Sequence, residues 1–105
     1  METMSDKYIL NDLGEPIPAL DLLAWAQWFE TSNRKVAMTE ISRGVKVSTV
    51  FLGLAHGFDG NSPILWETMV FGGPNNQEMD RCSGSRKQAE AMHEAMILKL
   101  KGAAE

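Results

Sequence analysis

Two long apolar runs constrain this chain more than anything else in it. Val45-Lys46-Val47-Ser48-Thr49-Val50-Phe51-Leu52-Gly53-Leu54 and Ile64-Leu65-Trp66-Glu67-Thr68-Met69-Val70-Phe71 stand either side of Gly57-Phe58-Asp59-Gly60-Asn61-Ser62. β-Branched and aromatic residues dominate both runs, and a glycine-containing polar segment between two such runs reads as an antiparallel hairpin, Val45 to Gly73.

Around that hairpin the remaining elements fall into order. Lys7 to Leu10 reads as a short strand and Asn11-Asp12-Leu13-Gly14 as its turn. Pro16 and Pro18 then mark the entry to a helix from Ala19 to Thr31, since proline is tolerated in a first helical turn. Leu22, Trp25, Ala26 and Phe29 form its apolar stripe at i, i+3, i+4 and i+7, with Trp28 on the flank as the less buried tryptophan. Lys35 to Ile41 is a strand that turns through Ser42-Arg43-Gly44 into the hairpin, whose arms run from Val45 to His56 and from Ile64 to Phe71. A polar edge strand, Gln77 to Cys82, follows. A second helix starts near Ser85, where Ser85 and Gln88 have the spacing of a capping box. Ala89, Met92, His93, Met96 and Leu100 form its apolar face, and Gly102 is its expected C-terminal cap. Strand, helix, β-meander, helix predicts an α+β fold with an antiparallel sheet of about four to five strands. At 105 residues that is one domain, 1–105, in which 1–6 is expected to be flexible and Met4 is an alternative start to Met1.

The hairpin register follows from one pairing. With His56 opposite Pro63, Gly53 faces Trp66, Leu52 faces Glu67 and Phe51 faces Thr68, so that an indole covers bare glycine backbone. One face then carries Val45, Val47, Thr49, Phe51, Ile64, Trp66 and Val70. The other carries Val50, Leu52, Leu54, Leu65, Met69 and Phe71. Both are apolar, whereas an antiparallel sheet with one wet face alternates more cleanly. Either each helix covers one face, or both cover the same face and the other meets a second subunit. The second arrangement predicts a homo-oligomer, a dimer first.

Charge excludes some partners. Fourteen acids against ten bases give a net charge of −4, and the bases are scattered among acids. A duplex-binding domain displaces counterions with a basic stripe, so duplex nucleic acid is not an expected partner. Cys82 is the only cysteine, which excludes an internal disulfide and a cysteine-built zinc site. The apolar runs are too short to span a membrane and the N-terminus lacks a signal-peptide pattern, so the expectation is a cytoplasmic protein with no membrane contact. No cofactor or metal is expected.

Four groups of residues could carry chemistry. His56 with Asp59 offers a general base steered by a carboxylate, or a polar ligand contact; a loop histidine beside a local turn bond accounts for the same pair, and no nucleophile accompanies it. Glu67 interrupts an apolar strand, where an unpaired carboxylate becomes a weak acid, unless it pairs with Lys46, Arg81 or Arg86 or points to solvent. His93 lies in the apolar stripe of the second helix without ligand spacing, as a satisfied core or interface histidine does. Trp28, Trp66 and Phe58 could stack a nucleotide base with Arg43 or Arg81 meeting an anion, although tryptophans at helical spacing are commonly core. Cys82 beside Arg81 could be a reactive thiol or a small apolar filler.

Lys7-Tyr8-Ile9-Leu10, the Pro-x-Pro region before Leu22 to Thr31, V-S-T-V-F-L-G-L at 47–54, E-T-M-V-F-G-G at 67–73 and the alanine-rich helix with His93 together form a pattern. In it the chain resembles a group of small proteins encoded in phages and prophage regions. The resemblance covers nearly the whole chain and brings no established activity. Ala55, where an acid is expected, and the polar strand depart from it. It implies a phage or prophage accessory protein that acts by binding, inhibiting or sequestering a host defence component, with His56, Phe58 and Asp59 at the contact. A small-ligand or nucleotide-binding module and a minimal hydrolase using His56 and Glu67 are the alternatives.

Overall fold

The computed structural model describes residues 6–103, the side chain of residue 103 excepted. The expectations for Met1 to Ser5, flexibility and an alternative start, lie outside these residues. The chain order is β1 (Tyr8–Leu10), β2 (Pro16–Pro18), α1 (Leu22–Thr31), β3 (Lys35–Ser42), β4 (Val45–Phe51), β5 (Phe58–Asp59), β6 (Ser62–Phe71), β7 (Met79–Ser83) and α2 (Arg86–Ala103). The architecture is α+β, with every strand pairing antiparallel. β3, β4 and β6 lie side by side, and β7 and the short β5 both pair with β6. β1 and β2 form a separate two-stranded ribbon.

α2 covers one face of the sheet, meeting β3, β4, β6 and β7. Its start is the expected capping box: Gln88 Oε1 accepts from Ser85 N at 2.7 Å and Ser85 Oγ accepts from Gln88 N at 3.4 Å. Ala89, Met92, His93, Met96, Ile97 and Leu100 are buried against Val47, Thr49, Phe51, Trp66, Thr68 and Val70. Each large apolar side chain buried there is worth about 1.5–3 kcal/mol. The helix continues through Gly102, which therefore does not cap it.

The hairpin is set two residues tighter than the sequence suggested. Phe51 pairs with Trp66, Val50 with Glu67 and Thr49 with Thr68, and β4 ends at Phe51 rather than His56. Gly53 is the cause. At φ 73° it turns the chain out of the ladder, and the departing segment bonds to the N-terminal strand instead. Tyr8 N donates to Gly53 O at 2.9 Å, Ala55 N donates to Asp6 O at 2.7 Å, and Leu54 bridges Lys7. Gly53 thus lies under the Phe29 ring, not opposite Trp66. A shift of two keeps each side chain on its own face, so Val47, Thr49, Phe51, Trp66 and Val70 still share one. The ladder resumes where His56 N donates to Ile64 O, and β5 closes it through a turn at Gly60-Asn61.

Two other boundaries move. Pro16–Pro18 is extended and pairs with β1, because Asp21 starts the helix: its Oδ1 accepts from Leu23 N at 2.9 Å and Ala24 N at 3.4 Å. The polar strand begins at Met79, because Gln77 sits at φ 73° in the preceding turn.

α1 does not lie on the main sheet: its backbone runs beside β1, and its Trp28 side chain reaches Phe51 at the end of β4. Leu22 and Ala26 are exposed, so the stripe that packs is Trp25, Trp28 and Phe29. Trp25 Nε1 donates to Gly53 O at 3.0 Å and Tyr8 O at 3.2 Å. Trp28, expected on the flank, turns inward edge-on to Phe51, ring centroids 5.9 Å apart. Among the described residues no helix is long and apolar enough to cross a membrane.

Candidate interaction surface

The residues singled out for chemistry do not converge. His56, Phe58 and Asp59 are exposed together at the β5–β6 end of the sheet, and no side-chain hydrogen bond joins His56 to Asp59 among the described residues. Arg43 is exposed in the β3–β4 turn, at the opposite end. Phe58 and Arg43, a ring and a cation for one nucleotide, therefore cannot meet the same ligand. Trp66 is fully buried and donates from Nε1 to Gly84 O at 2.9 Å, which removes it as a stacking platform. Cys82 packs beside the core across from Trp66, and burial pushes its thiol pKa up, away from the reactive thiolate.

Glu67 and His93 both have partners. Glu67 lies across the ladder from Arg81, and its Oε2 accepts from Arg81 Nε at 3.0 Å with Nη2 at 2.9 Å. Of the three cations the sequence offered, register selects Arg81. His93 Nδ1 is 2.7 Å from Thr49 Oγ1 and Nε2 is 2.9 Å from Thr39 Oγ1, while Thr49 Oγ1 is 2.5 Å from Thr68 Oγ1. This polar belt separates a core cluster around Phe51 and Trp66 from one around Val47 and Val70. No buried side-chain nitrogen or oxygen is left without a partner among the described residues, nor do three or more His, Cys, Asp or Glu side chains group as a metal site there.

Two apolar surfaces remain among the described residues: α1 and the segment before it, where Leu20, Leu22 and Leu23 are 96%, 64% and 72% exposed, and the ordered face of the sheet turned away from α2. Register lays three rows across this sheet face. Met38, Ser48, Met69 and Met79 are successive partners on β3, β4, β6 and β7. To one side runs Glu40, Lys46 and Phe71. To the other runs Lys35, Val50, Glu67 and Arg81. Neither helix covers these rows: α2 packs on the opposite face and α1 meets β1. Met38 is 45%, Phe71 48% and Met79 43% exposed, high values for large apolar side chains in a sheet.

Sequence reasoning found this face through Val50, Met69 and Phe71 but missed Met38 and Met79, which lie outside the hairpin; Leu65, placed on it too, is instead buried in the core with Tyr8, and Leu52 and Leu54 lie beyond the end of β4. The alternation of Met38 and Met79 with Ala37, Thr39 and Asp80 was the available signal, and only strand order turns it into a row. No family model, curated protein or solved structure matches the chain.

Proposed function

We propose that the chain acts by binding, without a reaction of its own, and that the open sheet face is the surface it binds with. The observation that carries this is the methionine row, Met38, Met69 and Met79, with Phe71 beside it, on a four-stranded face without a covering layer. Met38, Met79 and Phe71 stand 43–48% exposed on this face, with Met69 half-buried and Ser48 buried between them, and apolar side chains so placed mark interaction sites. Methionine suits such a site because its flexible thioether adapts to the surface it meets. Charges rim the row, as they rim protein interfaces. The phage and prophage pattern in the sequence supports an accessory role, in which the exposed loop residues His56, Phe58 and Asp59, rather than the sheet face, would meet a host defence component.

The test is a photo-crosslinking amino acid at position 69 on the open face and, as a control, at Glu94 on the exposed side of α2. Irradiation of expressing cells is expected to give a discrete adduct from position 69 and none from position 94. No adduct from position 69 overturns the proposal.

A further inference from the structure

The rows of the open face say what could lie on it. We infer that its occupant is a second copy of this chain, packed sheet to sheet about a two-fold axis that runs along the methionine row. The inference rests on the binding role proposed above and names its partner.

Two ways of stacking the face on itself keep the strands aligned, as packed sheets prefer. With the two-fold axis along the strands, β3 of one copy lies over β7 of the other. Lys35 then meets the partner copy's Arg81, a cation that its own Glu67 already pairs, so Lys35 gains no free acid. With the axis across the strands, along the methionine row, each strand lies over its own counterpart. The row containing Glu40 and Lys46 then faces the row containing Lys35 and Glu67. Glu40 meets Lys35 twice in the dimer, and Lys46 comes diagonally onto Glu67 twice. The Glu40–Lys35 contact forms in this arrangement and not in the other, which decides between them. Neither Lys35 nor Lys46 has an ion-pair partner within its own chain among the described residues. Isologous contact also places the methionines against one another in the dry centre, with the charges at the rim.

The patch is small. Strands about 4.8 Å apart and rows about 6.8 Å apart make a contact of roughly 20 by 20 Å, about 400 Å² per copy. That is below a standard interface, so the dimer is weak and concentration-dependent.

Light scattering after size exclusion, from about 10 to about 500 µM, tests this, a weak dimer of small interface being concentration-dependent. The mass is expected to climb from one chain toward two. Lys35→Glu places two acids together and is expected to return the mass to one chain. Lys35→Glu combined with Glu40→Lys is expected to restore the rise. Both positions are exposed, and circular dichroism confirms that each variant is folded. A mass of one chain throughout, or a double variant that fails to restore the rise, overturns the dimer. In the crosslinking experiment an adduct of twice the chain mass supports it. An adduct with a different protein ends the inference but keeps the binding role, and no adduct ends both.

Discussion

The Thr49 hydroxyl lies 2.7 Å from His93 Nδ1 and 2.5 Å from the Thr68 hydroxyl, so the core of this small domain is divided by a buried polar belt. His93 is 2% exposed and Thr49 and Thr68 are fully buried. With hydroxyls at both ring nitrogens, the neutral imidazole donates from one and accepts at the other, and rotation of the hydroxyls completes the belt. A histidine on an apolar helical stripe is therefore the link that ties α2 to β3 and β4.

Thr49→Val keeps the side-chain shape and removes the central hydroxyl. It leaves His93 Nδ1 and the Thr68 hydroxyl buried without their partner, a loss expected to cost about 1–3 kcal/mol. For a domain of this size that lowers Tm by several degrees per kcal/mol, which a thermal melt reads directly. A melt unchanged within about 0.5 kcal/mol contradicts the belt's structural role.

His93 also sets a pH dependence. Burial is the main cause that lowers its pKa from the ordinary value, and nearby Glu94 opposes it more weakly. The unfolded chain therefore binds a proton on this ring at a higher pH than the folded chain does. Stability from this group is fully present above the unfolded value near pH 6.5. It falls as pH drops below that value and levels off under the lowered folded pKa. Urea midpoints measured between about pH 7.5 and 5.5 are expected to decline, and His93→Gln to flatten the decline. His56→Gln is the control; an equal slope in the wild type and His93→Gln counts against the assignment.

Gly72 fixes how β6 leaves the sheet. It stands at φ 93°, and a Cβ there would lie 1.9 Å from Gly44 O in the neighbouring turn. Gly60, at φ 63°, has open space around it. Gly60→Ala is expected to lose about 1 kcal/mol from backbone strain alone. Gly72→Ala must also displace the Gly44 backbone and is expected to lose at least about 2–3 kcal/mol. Equal losses in chemical denaturation would refute the close approach of the two turns.

Element types and the core side of the hairpin were legible in the sequence, because period-two and helical patterns are local. The capping box at Ser85 and the buried face of α2 from Ala89 to Leu100 follow from spacing alone. The register was not legible. An apolar run of ten residues gives no sign that Gly53 turns it away to pair with β1, since that depends on residues 45 positions earlier. Nor did Pro16–Pro18 show itself as a strand: proline signals a helix start and an extended edge equally well, and the Asp21 cap decided it. The surface itself was half visible. Val50, Met69 and Phe71 announced a second apolar face, but its centre is a row drawn from four strands, and only their order assembles it.

Peroxide footprinting reads out whether the open face of the sheet is covered. Met38 and Met79 lie on that face, while Met92 and Met96 are buried on the sheet-facing side of α2 and serve as protected internal standards. The predicted result is that, under equal peroxide excess, Met38 and Met79 oxidise several-fold more slowly at about 500 µM purified protein than at about 10 µM. Equal, rapid oxidation of both methionines at the two concentrations would mean that no second copy covers the face.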